Sequence, residues 1–274
     1  MSKRPNTLKV HLLSPASPPK EKTSLNQAIE KLENWGFKIL NNQTLYSKAS
    51  QGDQRIDHLQ NSLLDETIDG IICARGGYGS SDLLTHLNWQ KISQKKVKWL
   101  LGYSDISSLQ SALFCKLGWP CIHGPMPDTK AWKADENQGD IKQLMDLLQQ
   151  KASTQTMKVN PQGQLKHPLR LEGWLFGGCF SVLSNLIGTP YLPKTFDQSV
   201  LFFEDINETS EKILRAWNQW IHSGLLKGVN GIILGKFVGL GSEEESMEDL
   251  KMSKSPDFPD QYFSDLIDGL KSVE

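Results

Sequence analysis

Within the first 122 residues lie five short apolar runs: Leu8 to Leu13, Phe37 to Leu40, Ile68 to Ala74, Val97 to Leu101 and Pro120 to Ile122. The stretches between them repeat apolar residues at helical spacing. Leu25, Ile29, Leu32 and Trp35 share one helix face that stops at Gly36, Ile56, Leu59 and Leu63 share another, and helix-like segments follow Gly79 and Ser104. Strands that alternate with helices are joined by crossovers, and crossovers make neighbouring strands parallel. The expected fold class is therefore α/β, with a parallel, doubly wound sheet over residues 1–150 that takes its ligands at the C-terminal strand ends.

The pattern changes after that. Asp135 to Gln150 reads as a polar, amphipathic closing helix, and Lys151 to His167, rich in Lys, Gln, Thr, Pro and Gly, reads as a linker. A smaller mixed α/β domain is expected over 168–274. Its strands lie near Leu169 to Leu175, Val200 to Glu204 and Gly231 to Val238, and its helices at Phe180 to Ile187 and Glu208 to His222, the latter stopped by Gly224. The run Glu243 to Glu245 reads as a solvated loop, and Tyr262, Phe263, Leu266, Ile267 and Leu270 mark a last amphipathic helix.

Charge removes several function classes. Thirty Lys and Arg against 31 Asp and Glu leave a formal charge of -1, which gives no broad field to attract nucleic acid or an anionic membrane. A small-molecule partner is expected instead. The basic start Met1 to Lys9 precedes an apolar stretch that stops at Ser14-Pro15, too short for a signal sequence, and nothing approaches the roughly 20 apolar residues of a membrane helix. The expected location is the cytoplasm. Cys73, Cys115, Cys121 and Cys179 form no C-x-x-C pair and sit in apolar runs, as buried thiols of a reducing compartment do. His11, His58, His86, His123, His167 and His222 show no metal-ligand spacing with cysteines or carboxylates, so neither a metal nor a cofactor is expected.

Three segments carry the chemistry. Ser104, in Gly102-Tyr103-Ser104-Asp105, falls where a strand turns into a helix, a place for a nucleophile. The turn lacks the second glycine of the G-x-S-x-G elbow, so it is not the α/β-hydrolase signature. Arg75-Gly76-Gly77-Tyr78-Gly79 also follows a strand, and its glycines allow positive φ and let backbone N–H groups face an anion. That anion is a phosphate or a transient oxyanion, or the glycines simply make a tight turn. A dinucleotide fingerprint fails at Asp82, and no Gly-Lys-Ser/Thr is present. If the two strands are neighbours, the amides of Gly77 and Asp105 are placed to face one spot. Glu204 ends an apolar strand, as a carboxylate that orients an imidazole or as one that leads, with Asp205, Asn207 and Glu208, into the next helix. Trp174, beside the glycines of the second domain, is the one tryptophan placed to serve as a ligand platform.

Those segments, together with His123-Gly124-Pro125-Met126, Gly173-Trp174-Leu175-Phe176-Gly177-Gly178, Gly188-Thr189-Pro190 and Leu201-Phe202-Phe203-Glu204-Asp205, resemble the LD-carboxypeptidases, in that family's order and over most of the chain. The family includes the microcin C immunity peptidases and joins a Rossmann-like N-terminal domain to a smaller C-terminal one. The resemblance implies a Ser-Glu-His triad with Ser104 as nucleophile, Glu204 as its acid, and the backbone amides of Gly77 and Asp105 as oxyanion hole. It further implies a cytoplasmic serine carboxypeptidase that removes the terminal D-Ala from murein tetrapeptides during peptidoglycan recycling, with a small peptide as partner and a homodimer as assembly. The alternatives are a microcin C-type immunity peptidase and a catalytically inactive binding protein. Two departures stand out. Cys179 occupies a position where the family commonly has Asn. The family's triad His lies in a Gly-His segment past a further helix and strand beyond Gly231 to Gly235, whereas the last histidine here is His222, so the C-terminal domain is expected to be truncated. His123 is expected to serve structure or substrate rather than to replace that base, and His222 to meet a helix C-terminus.

Overall fold

The computed structural model describes residues 7–20, 22–40, 52–129, 132, 138–149, 151, 154 and 171–239. His167, most of the linker, Glu243 to Glu245 and the segment from Tyr262 to Leu270 lie outside the described residues. The chain divides into two compact units, residues 1–157 and 158–274.

The first unit is a five-stranded sheet of order β2-β1-β3-β4-β5, built from β1 (Leu8–Leu13), β2 (Phe37–Ile39), β3 (Gly70–Cys73), β4 (Trp99–Gly102) and β5 (Cys121–His123). Every pair is parallel. Its helices are α1 (Lys22–Asn34), α2 (Gly52–Leu64), α3 (Trp89–Ile92), α4 (Ser107–Leu117) and α5 (Gln138–Leu148). A parallel sheet wrapped by helices hides both faces, and β3 is buried along its whole length. On one face Val10, Leu12, Ile72 and Leu101 pack with Leu25, Ala28 and Leu32 of α1 and with Ile141, Leu144, Met145 and Leu148 of α5. Each fully buried leucine or isoleucine there contributes about 1.5–3 kcal/mol. Gly36, at φ +88°, closes α1 in a left-handed turn that a side chain resists.

The opposite face carries a polar cluster. The Ser62 hydroxyl donates to the His58 carbonyl at 2.8 Å, so its oxygen accepts the Nδ1 proton of His11, also at 2.8 Å. Nε2 of His11 lies 3.5 Å from Asp65. Burial holds the His11 pKa below its ordinary value, with Asp65 opposing and Lys98 assisting. His58 is lowered too, again chiefly by burial. For Asp65, burial pulls upward, but the Thr67 hydrogen bonds and the charges of His11 and Lys98 outweigh it and the net shift is down. Lys98 is buried, donates to the carbonyls of Leu63 (2.9 Å) and Lys96 (3.2 Å), and lies over the Trp119 ring. A histidine whose folded pKa is depressed leaves the unfolded chain as the better proton binder below about pH 6.5. Stability is thus expected to fall as pH drops from 7 towards 5, and His11→Gln to flatten that slope, as urea melts across the range would record.

The second unit holds β6 (Trp174–Cys179), β7 (Ser199–Ile206) and β8 (Gly231–Val238), all parallel in that order, with α6 (Phe180–Ser184) and α7 (Ser210–His222). Strand β6 begins later than the expected Leu169 to Leu175 and runs through Gly177-Gly178. Glycine is a poor strand former. Here close approach decides, because a Cβ on Gly177 would overlap the backbone carbonyl of Phe202 in β7. Alternation along β7 buries Ser199, Leu201, Phe203 and Asp205 and leaves Val200, Phe202 and Glu204 half-buried. On the buried side Phe180, Phe196, Phe203, Trp217, Trp220 and Phe237 form an aromatic core with ring centroids 5.0–6.4 Å apart. The buried Trp220 indole donates to Ser184 Oγ at 2.9 Å. Among the described residues no helix is long and apolar enough to cross a membrane.

Candidate active site

Strands β3 and β4 are hydrogen-bonded neighbours, paired from Gly70–Trp99 to Ile72–Leu101, so the turns that leave them emerge side by side. Ser104 leaves β4 with φ +62°, in the left-handed region that costs an L-residue about 1–2 kcal/mol. Such strain persists only where the surroundings over-determine it, and here it stations the hydroxyl at the strand-to-helix corner. A short 3₁₀ turn, Ser104–Ile106, runs straight into α4, whose first turns are buried and whose positive dipole end faces the corner.

Gly76 explains how close the other turn comes. A Cβ there would stand 3.1 Å from Ser104 Cβ and 3.2 Å from its Oγ, tighter than side chains normally pack. Gly77, at φ +121°, and Gly79, at φ +105°, adopt conformations reserved for glycine. Asp105 sews the two turns together. Its carboxylate accepts the Ser80 N–H at 2.9 Å, and its carbonyl accepts Ser80 Oγ at 2.6 Å and Ser108 Oγ at 3.1 Å. Burial pushes the Asp105 carboxyl pKa upward, helped by Asp82 and opposed by the amides of Ser80 and Gly79. The helix-like segment after Gly79 is a 3₁₀ turn at Ser81–Leu83 followed by the four-residue α3. Tying Ser80 to Asp105 keeps the chain turning tightly at that point.

Several of the residues that hold this corner were not evident from sequence. Arg55 of α2, only 3% exposed, donates through Nη1 to the carbonyls of Pro15 (2.8 Å), Ala16 (3.3 Å) and Gly79 (3.0 Å). Its signal was a cation one helical turn before the apolar Leu59. Gln110 donates to the carbonyls of Gly102 and Ile122, each at 2.9 Å, locking the ends of β4 and β5. His123 closes β5 opposite Gly102 and sets its ring edge-on to Tyr103, with centroids 6.1 Å apart.

In the second unit Glu204 and Asp205 point to opposite faces of β7. Asp205 does not lead into α7, which Thr209 caps instead. Its buried carboxylate accepts the N–H of Ser181 at 2.7 Å, at the start of α6, and the N–H of Ile206 at 2.8 Å. Burial raises its pKa against those bonds. Cys179 donates its thiol towards Asp205 at 3.5 Å, and burial pushes that thiol far up. Cys115 is pushed to about 11 and Cys121 to about 12, so none of these thiols is a thiolate nucleophile at neutral pH. Glu204 faces away from the aromatic core, on the side of β7 where Gly235 of β8 approaches: a Cβ on Gly235 would lie 3.1 Å from Glu204 Cβ. Trp174 is engaged structurally, stacked on Phe196 at 5.8 Å with its N–H on the Asp197 carbonyl at 3.0 Å. Among the described residues no group of three or more His, Cys, Asp or Glu side chains could hold a metal.

The sequence pattern of the LD-carboxypeptidase N-terminal domain matches residues 10–124, and that of the LD-carboxypeptidase C-terminal domain matches residues 172–263. A putative carboxypeptidase of Synechocystis is 32% identical over 231 residues, which span 82% of this chain and 72% of that one. A probable murein peptide carboxypeptidase of Bacillus subtilis is 33% identical over 233 residues, 83% and 72% of the two chains. The fold is shared with the solved structure of the microcin C7 self immunity protein MccF in complex with aspartyl sulfamoyl adenosine, at a TM-score of 0.75 and 18% identity over 96% of this chain and 84% of that one. With both domain patterns matched in order across most of its length, the chain belongs to the LD-carboxypeptidase family of peptidase hydrolases.

Proposed function

We propose that this protein is a serine-type LD-carboxypeptidase that hydrolyses the terminal D-Ala from murein tetrapeptides in the cytoplasm, a step of peptidoglycan recycling. The observation that carries the reading is the strained Ser104 corner, pressed against the glycine turn of the neighbouring strand. The murein peptide activity named for the Bacillus subtilis relative supports the choice of substrate.

Ser104 Oγ attacks the carbonyl carbon of the bond to D-Ala while an imidazole takes its proton. Glu204 is the acid of that triad, and the resemblance to the family implies an imidazole from a Gly-His segment past β8, where these 274 residues carry no histidine. The carbonyl oxygen becomes an oxyanion held by the amides of Gly77 and Asp105, where losing one donor typically costs about 2.7–4 kcal/mol. The C–N bond breaks as the imidazolium protonates the leaving amine, and water then cleaves the acyl-serine ester by the reverse transfers.

Incubating the protein with murein tetrapeptide and following free D-Ala and tripeptide by mass spectrometry tests this directly. Release of D-Ala is expected. Cleavage of a peptidyl sulfamoyl adenosine with the tetrapeptide untouched would move the substrate to the immunity class, and turnover of neither would leave a binding protein.

A further inference from the structure

Arg55 occupies a position that the reaction above does not explain. A guanidinium taken out of water costs several kcal/mol unless its charge and donors are met. Asp82, a half-exposed carboxylate, lies 4.0 Å from Nη2. Nη1 bonds backbone carbonyls on two separate segments: Pro15 and Ala16, where the chain leaves β1, and Gly79, in the turn that leaves β3. The first segment grips the same turn a second time. Ser17 donates its N–H to the Gly76 carbonyl at 3.3 Å, and its Oγ accepts the Tyr78 N–H at 3.2 Å. Gly77 therefore sits between two anchored points, and a Cβ on it would overlap Ser17 Oγ.

We propose that Arg55 is a positioning residue for the oxyanion hole: by bonding the β1 exit and Gly79 at once, it fixes the orientation of the Gly77 amide beside Ser104. The inference rests on the serine-peptidase reading. Its physical content is that one buried nitrogen, Nη1, directs its two hydrogens at the β1 exit and at Gly79 at once, held in that plane by a rigid guanidinium that a lysine, one ammonium on a flexible stem, does not replace. Donors of an oxyanion hole act in the transition state, so loosening one lowers kcat while leaving KM in place. A displacement of about 1 Å costs on the order of 100-fold in rate.

The test compares wild type, Arg55→Lys, Ser17→Ala and Ser104→Ala for tetrapeptide hydrolysis and for labelling by a fluorophosphonate. In the labelling step Ser104 Oγ forms a bond to phosphorus, fluoride leaves, and the serine proton passes to the base; the phosphoryl oxygen occupies the same hole without any demand for the right peptide. Rates are taken per folded molecule, from melting curves of each variant. Arg55→Lys is expected to lower kcat and the labelling rate together, by about 10- to 100-fold, with KM within about twofold of wild type. Ser17→Ala, which breaks the Tyr78 tether and keeps the buried cation, is expected to lower both by about tenfold, and it carries the test if Arg55→Lys does not fold. Wild-type rates in the folded variants, or a loss confined to KM, overturn the role of Arg55. Undiminished labelling and hydrolysis in Ser104→Ala overturn the serine reading instead, so the two failures are distinct.

Discussion

Ser104→Ala is expected to reduce tetrapeptide hydrolysis by about 10⁴-fold or more while leaving the fold intact, the scale seen when a triad nucleophile is removed. Stability measured on the same variants adds a second readout. Alanine keeps a Cβ at φ +62°, so its melting temperature should stay near wild type. Ser104→Gly also deletes the hydroxyl but relieves the left-handed strain, worth about 1 kcal/mol, or about 2–4 °C in a chain of this size. An inactive Ser104→Gly more stable than wild type would show a corner held under strain for its chemistry. Hydrolysis within tenfold of wild type in Ser104→Ala would remove this residue as the nucleophile, and an unchanged melting temperature in Ser104→Gly would mean the corner is not strained.

Gly177→Ala is expected to be among the most damaging single substitutions in the second unit. The added methyl would overlap the Phe202 carbonyl and come within 2.6 Å of its carbonyl carbon, and a backbone partner cannot swing aside as a flexible side chain does. Strands β6 and β7, paired from Trp174–Ser199 to Cys179–Glu204, would have to separate. A loss of about 3 kcal/mol or more is expected, lowering the melting temperature by about 10 °C. Hydrogen exchange should localise the damage to Trp174–Cys179 and Ser199–Ile206. A melting temperature within 2 °C of wild type would show that the strands can part at little cost.

The sequence made the first sheet readable because its strands are short, apolar and punctuated, and because their alternation with helices leaves few topologies. That β3 and β4 each end in a turn, one carrying the glycines and the other Ser104, followed from the same pattern, whereas their adjacency was only a condition until the pairing from Gly70–Trp99 to Ile72–Leu101 met it. What stayed hidden depends on three-dimensional fit. Arg55 and Gln110 look like solvated side chains in a helical pattern until their buried carbonyl partners are seen. The pair Glu204-Asp205 shows that two adjacent carboxylates on a strand serve opposite faces, and only the helices packed on one side reveal that Asp205 is the buried one. The late start of β6 was missed because glycine propensity argues against a strand, whereas contact with β7 requires glycine there.

The wholly parallel pairing also sets how the chain comes together at the ribosome. Among the described strands no sequence neighbours can zip as a hairpin. Val10 of β1 must wait for Gly70 of β3, 60 residues later, before that pair forms. At about 5–20 residues per second this leaves β1 incompletely paired for roughly 3–12 s of synthesis. Through that interval Val10, Leu12 and the α1 leucines have no finished core to enter, so early chain termination or loss of holdase chaperones should send nascent fragments shorter than about 75 residues into aggregates.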